Sequence, residues 1–165
     1  MLKIAFGGGC HWCTEAVFQS LIGVSKVEQG FVASTGEDKA FSEAVIVHFN
    51  PESIPLSVLT EIHLLTHKST SNHSMRKKYR SAVYVFSDGQ YREIDLILKD
   101  LQRQFNLPII TKILFFENFK PSEEVFINYY YSNPEKPFCK TFITPKLQYL
   151  LKTFSSYVKL ENQSN

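Results

Sequence analysis

Cysteine is scarce in this chain: three in 165 residues, too few for a disulfide framework in a chain of this length. Three thiols without such a framework fit a reducing compartment and leave room for redox chemistry. An excess of one charge is also missing. Eighteen Lys and Arg against sixteen Asp and Glu leave a net +2, too little to argue for nucleic acid. No apolar run approaches the length of a membrane span. Met1 leads straight into an apolar strand, so no signal peptide is expected and a cytoplasmic protein follows. The basic cluster Arg76-Lys77-Lys78 with Arg80 reads as a solvated loop. At this length, residues 1–165 are expected to form one domain with a real core, and a monomer.

Glycine is sparse as well, seven in all, yet three of the seven stand together in Gly7-Gly8-Gly9-Cys10-His11-Trp12-Cys13. The run ends an apolar strand, Leu2 to Phe6, and opens a segment of helical pattern. Cys10 is thereby expected at a helix N-terminus. The unpaired N–H groups there favour an anion, which lowers a thiol pKa and yields the reactive thiolate. The glycines keep side chains away from the sulfur. Read without further context, the same residues describe a tight turn and a small buried Cys.

The remaining pattern predicts helix Cys10 to Leu21, strand Val24 to Ala33, strand Phe41 to Phe49 and a helix from Pro55 to about His67. A polar loop follows to Lys78, then strand Ser81 to Phe86, an amphipathic helix Gln90 to Phe105 and strand Ile109 to Phe116. This order is the split β-α-β plan of a ferredoxin-like two-layer α/β (α+β) sandwich: an antiparallel-rich mixed sheet with helices packed on it. After Phe116 the pattern decays into a short helix and a long C-terminal wrap.

Gly8-Gly9-Cys10-His11-Trp12-Cys13-Thr14-Glu15-Ala16-Val17-Phe18 resembles the active-site signature of the peptide-methionine (S)-S-oxide reductases, the A-type methionine sulfoxide reductases. The usual form there is Gly-Cys-Phe-Trp. The resemblance continues in order at Gly30-Phe31, Ser42-Glu43-Ala44-Val45, Tyr79-Arg80-Ser81-Ala82, Phe138-Cys139 and Pro145-Lys146-Leu147. It implies that Cys10 attacks a sulfoxide sulfur and becomes a sulfenic acid while methionine leaves. A second thiol then forms a disulfide, which thioredoxin or another dithiol reduces, with no further cofactor and no metal. The substrate would be free methionine sulfoxide or oxidised protein. Glu43 is implied as the proton donor, and burial of a carboxyl favours its protonated form. Tyr79 is implied as a ligand of the sulfoxide oxygen, and Trp12 and His11 as walls around the substrate methyl. The resolving thiol is open between Cys139, in the wrap, and Cys13, three residues after Cys10 on one helical face.

Several positions depart from the family pattern. His11 replaces the usual Phe. The stretch Val32 to Phe41 is short and has no tyrosine. Ser74 stands at the place of a family aspartate, and Val125-Phe126-Ile127-Asn128 lacks the usual His. These losses predict weakened oxygen binding. Two other readings remain: a Cys-x-x-Cys thiol-disulfide oxidoreductase, and a non-catalytic methionine sulfoxide binder or sensor. His63 and His67, four apart, have a zinc-like spacing, but without a carboxylate motif between them they read as partly exposed helix histidines.

Overall fold

A computed structural model describes residues 1–159. Strand β1 (Leu2–Gly7) leads into helix α1 (His11–Gln19). Strands β2 (Val24–Ala33) and β3 (Ser42–Phe49) precede helix α2 (Leu56–Leu65), which Pro55 opens as N-cap. Strand β4 (Ala82–Val85) and helix α3 (Asp88–Leu101) follow. Ser87 caps α3 by accepting the Gln90 N–H at 3.1 Å. The expected elements are therefore present, with ends shifted by a few residues.

The six strands lie in the order β5-β4-β1-β3-β2-β6, where β5 is Lys112–Phe115 and β6 is Asn118–Pro121. All pairs are antiparallel except β4–β5. Strand alternation sorts the side chains. Ile4, Phe6, Val45 and Val47 face a core shared with Phe18, Leu59, Ile62 and Ile94 of the helices. Ala5, Ala44, Ile46 and Tyr84 face the other side, with Phe86, Phe116 and Phe119 packed on them.

Strand β6 lies in the stretch where the sequence pattern had decayed, and its placement bends the whole sheet. β5 and β6 occupy opposite edges, yet only Phe116 and Glu117 join them. A flat sheet of six strands would hold its edges about 24 Å apart. Three peptide steps reach at most about 11 Å. The sheet must curl, and the Glu117 N–H donating to Ala33 O at 3.0 Å and Ser34 Oγ donating to Phe115 O at 2.7 Å tie the edges together.

The C-terminal wrap is more ordered than its sequence predicts. A single turn, α4 (Tyr129–Ser132), follows Asn128 in the left-handed conformation at φ 58°. A π-helical turn, Cys139–Ile143, runs directly into helix α5 (Thr144–Thr153), whose Leu150 joins the helix-side core.

Of the two histidines read as partly exposed, His63 on α2 is not, while His67, two residues past the end of α2, is half-buried. His63 is buried and donates from Nε2 to Gly7 O at 2.7 Å. His67 donates from Nδ1 to the His63 carbonyl and accepts at Nε2 from Ser81 Oγ at 2.8 Å. Nor is the basic cluster merely solvated. The Arg76 guanidinium donates to the carbonyls of Lys68, Ser71, Gly8 and Tyr79, and Arg80 is buried.

Candidate active site

Cys10 is the N-cap of α1, with extended φ −60° and ψ 127°. Its carbonyl accepts the N–H of Cys13 at 3.1 Å and of Thr14 at 3.2 Å, which leaves its side chain over the first turn. Gly8 sets the approach. It sits at φ +148°, and a Cβ there would strike the His67 ring 2.5 Å away. The stack of His67 on the His63 ring, 4.2 Å between centroids, thus forms the floor beneath the glycine turn.

The Cys10 thiol pKa is held below its usual value. The largest cause is the Cys13 thiol, which hydrogen-bonds to the Cys10 sulfur. Backbone N–H groups of Trp12 and Cys13 act in the same direction; burial and the nearby Glu43 charge act against. The bond has the opposite effect on its donor, and together with burial it pushes the Cys13 thiol well up. Cys10 is therefore the more acidic thiol of the pair. Cys139, on the π-helical turn, is buried in the same small cluster with Cys13, Ala16 and Ile143, against which Cys10 packs. All three cysteines are free thiols.

Cys10 opens onto a cleft of about 400 Å³. Trp12, Phe31, Phe126 and Phe138 supply apolar walls, while Glu43, Tyr79, Lys78 and His11 supply polar groups. Trp12 is fixed by aromatic neighbours: Tyr129 stacks on it at 4.2 Å and Phe138 meets it edge-on at 5.2 Å. Glu43 comes from the second residue of β3 and is buried. Its Oε1 accepts the His11 backbone N–H at 3.3 Å, and its Oε2 lies 3.8 Å from Lys78 Nζ. The Lys78 pKa is raised, first by its hydrogen bond to Tyr79 and then by the charges of Tyr79 and Glu43.

The structure thus brings Cys10, His11, Trp12, Glu43 and Tyr79 to one cleft, and Cys13 and Cys139 into a cluster against Cys10. Two participants carry no role in the sequence reading. Lys78 had been counted with the solvated cluster. Glu15 lies in α1 with no exposure, where its carboxylate accepts the backbone N–H of Asn128 at 2.9 Å and of Tyr129 at 3.1 Å. It also accepts from Gln29 Nε2 at 3.0 Å. Burial raises the Glu15 pKa despite these three donors. Its sequence signals are its place in the signature around Cys10 and a lone acid in an apolar helix, neither of which names its partners.

A sequence profile described as peptide methionine sulfoxide reductase matches residues 2–157. The chain belongs to the peptide methionine sulfoxide reductase family. Among this family's members, the peptide methionine sulfoxide reductase MsrA of Trichodesmium erythraeum (strain IMS101) is 33% identical over 94% of this chain and 97% of its own length. That of Psychrobacter sp. (strain PRwf-1) is 34% identical over 96% and 99%. Reduced Mxr1 from Saccharomyces cerevisiae superposes with a TM-score of 0.75 at 25% identity, covering 86% of this chain and 90% of that one. Mxr1 in complex with Trx2 gives 0.61 at 27% identity, covering 74% and 81%. This member of the reductase family keeps its cysteine on the first helix N-cap while its aromatic neighbour there is a histidine.

Proposed function

We propose that this protein reduces the S-epimer of methionine sulfoxide to methionine, using Cys10 as nucleophile and thioredoxin as final reductant. The observation that carries this reading is a thiol with a lowered pKa at a helix N-cap, sharing one cleft with a buried carboxyl and an aromatic wall. The Cys10 thiolate attacks the sulfoxide sulfur. One proton passes to the sulfoxide oxygen, the S–O bond breaks, and oxygen leaves on Cys10 as a sulfenic acid. Cysteine sulfur is oxidised by two electrons and the substrate sulfur is reduced by two.

Glu43 is the proton donor, with Tyr79 and Lys78 as ligands of the oxygen. Lys78 supplies a charged donor where the family's other oxygen ligands are missing, and hydrogen bonds to charged groups contribute about 1.5–3 kcal/mol. Trp12, with Phe126 and Phe138, holds the S-methyl group and excludes water. Cys13 condenses with the sulfenic acid, releasing water; its hydrogen bond to the Cys10 sulfur supports it over Cys139, whose place beside Cys13 in the same cluster supports a role in taking up the disulfide next. The complex of the yeast relative with Trx2 supports thioredoxin as the reductant. We also read residues 1–165 as a single domain acting as a cytoplasmic monomer on free or protein-bound substrate; among the described residues no helix is long and apolar enough to cross a membrane.

Turnover of S- and R-methionine sulfoxide with thioredoxin or dithiothreitol tests the reading. We expect product from the S-epimer and none from Cys10→Ser. Product from that variant, or a preference for the R-epimer, overturns it. Peptide mapping after one equivalent of sulfoxide should find a Cys10–Cys13 bridge in the wild type and in Cys139→Ser. A Cys10–Cys139 bridge as the first product assigns resolution to Cys139 instead.

A further inference from the structure

We propose that His11 and Glu43 hold one mobile proton between Nε2 and Oε1, so that the acid serving the sulfoxide oxygen is a histidine–carboxyl pair and not a lone carboxyl. The proposal rests on the reductase reading above and deepens it. Both side chains are buried. His11 Nδ1 lies 2.8 Å from Gly30 O. A carbonyl only accepts, so Nδ1 carries a hydrogen and the tautomer is fixed. The other ring nitrogen, Nε2, faces Glu43 Oε1 at 3.3 Å.

Three protonation states of this contact differ sharply. With no proton between them, two lone-pair-bearing atoms face each other away from water, which is unfavourable. With two protons, a buried imidazolium N–H meets a carboxylic acid, and the cation has lost its counter-charge. With one proton, the contact becomes attractive whichever atom carries the hydrogen. Burial lowers the His11 pKa, and the Lys78 charge acts with it, against the Gly30 bond and the Glu43 charge. The edge of the Phe31 ring, 5.1 Å away, holds the imidazole in place. The other titratable groups facing the pair are Cys10 from the preceding residue, Lys78 and Tyr79 from the segment before β4, and Glu123 from the segment after β6. Gly30 makes the acceptor available where it is. Its Cα faces the Lys120 carbonyl and the Phe119 ring of β6, so no side chain fits there.

The proton count closes over a cycle. The pair gives one proton to the sulfoxide oxygen as the Cys10 thiolate becomes a sulfenic acid. Condensation with a thiol releases water and forms the disulfide without net proton change. Reduction by a dithiol returns two thiols, and Cys10 then ionises again, releasing the one proton that reloads the pair. His11 is a positioning residue in this scheme: it acts through Glu43 and keeps the transferable proton in place at higher pH than a carboxyl facing an apolar ring would.

The test is the pH profile of single-turnover product formation, with no external reductant, in the wild type, His11→Phe and His11→Asn. Asn retains a donor for Gly30 O but has no titratable nitrogen. Both variants should move the alkaline limb to lower pH by about one unit, so that the loss is roughly tenfold at pH 8 and small at pH 6. Nitrogen-15 NMR of the histidine rings gives a second readout that needs no activity. Nε2 of His11 should titrate at a different pH in Glu43→Gln than in the wild type. Profiles that differ from wild type only by a constant factor, or a His11 titration unmoved in Glu43→Gln, overturn the pair. Absence of product from the wild type itself would instead overturn the reductase reading and leave the NMR test of the pair standing.

Discussion

The two walls of the cleft are built in different ways. The sheet-side wall consists of β1, the N-terminus of α1 and β3, where Cys10, His11 and Glu43 are held by central strands and a regular helix. The C-terminal wall, residues 126–143, has almost no repeating hydrogen bonds. It is a single helical turn, a left-handed residue and a π-helical turn, attached to the rest by side chains. Gln29 Nε2 donates to Phe126 O at 2.8 Å, and Glu15 collects the N–H groups of Asn128 and Tyr129. The first wall carries the groups to which chemistry is assigned above, and the second carries aromatic rings and a thiol. A rigid wall suits the bond-making groups, because a proton donor must be placed to a fraction of an ångström. A side-chain-tethered wall suits a surface that must let substrate in and a thiol move.

The sharpest way to break this contrast is to remove the acid on the rigid wall. Glu43→Gln should slow single-turnover product formation by roughly 10²- to 10³-fold while leaving substrate affinity within a few-fold, because the proton is required in the transition state. An affinity loss with an unchanged rate would make Glu43 a binding group. The contrast is sharpened next by cutting the tether of the other wall. Glu15→Ala leaves two backbone N–H groups without their charged acceptor and should cost about 3 kcal/mol in urea unfolding. Hydrogen exchange in residues 126–143 should rise before exchange in the sheet does, and the substrate affinity should fall more than the single-turnover rate. Equal exchange losses in both walls would show that Glu15 supports the whole domain.

Acid should weaken the floor under the rigid wall. Burial lowers the His67 pKa to about 4 and holds His63 well below its usual value. Between pH 6.5 and 4 the unfolded chain takes up protons that the folded chain refuses. Stability is therefore full above pH 6.5 and declines as pH falls through that window, by about 2–3 kcal/mol from His67. Replacing His67 by Gln should flatten that part of the stability profile. The smallest effect concerns Asn128, at φ 58°. Asn128→Ala should destabilise by about 1 kcal/mol, and Asn128→Gly should be neutral within about 0.5 kcal/mol, measured by thermal unfolding.

Legibility in the sequence follows the same division. Strand alternation and helix periodicity in residues 2–101 directly report one buried face, so β1 through α3 could be read and the N-terminal placement of Cys10 with them. β6 could not. It is an edge strand of Asn118, Phe119, Lys120 and Pro121 in which only the Phe packs against the core, so no alternation marks it. Helix α5 did leave a signal, Thr144-Pro145 followed by Leu147, Leu150 and Leu151, which the neighbouring aromatic and proline-rich stretch obscured. Glu15 and Lys78 were illegible for another reason. Their roles depend on residues far along the chain, Asn128 for the first and Glu43 for the second, and no local pattern carries such a pairing.

The two-residue link between the sheet edges also bears on how the chain acquires its structure. β5 can dock only once β4 is laid on β1, and β6 only once β2 is laid on β3, because each edge strand needs its neighbour's free hydrogen bonds. The link then forces both dockings into nearly one event: seating either strand delivers the other to within a few ångströms of its groove. Closure is thus a late, long-range step, with β2 and β6 about ninety residues apart in the chain, of the kind that slows folding through loop entropy. Lengthening the Phe116-Glu117 link with flexible residues would separate the two dockings in time. It should expose a species with the central strands formed and both edges bare, prone to pair with its own kind before the last strands arrive.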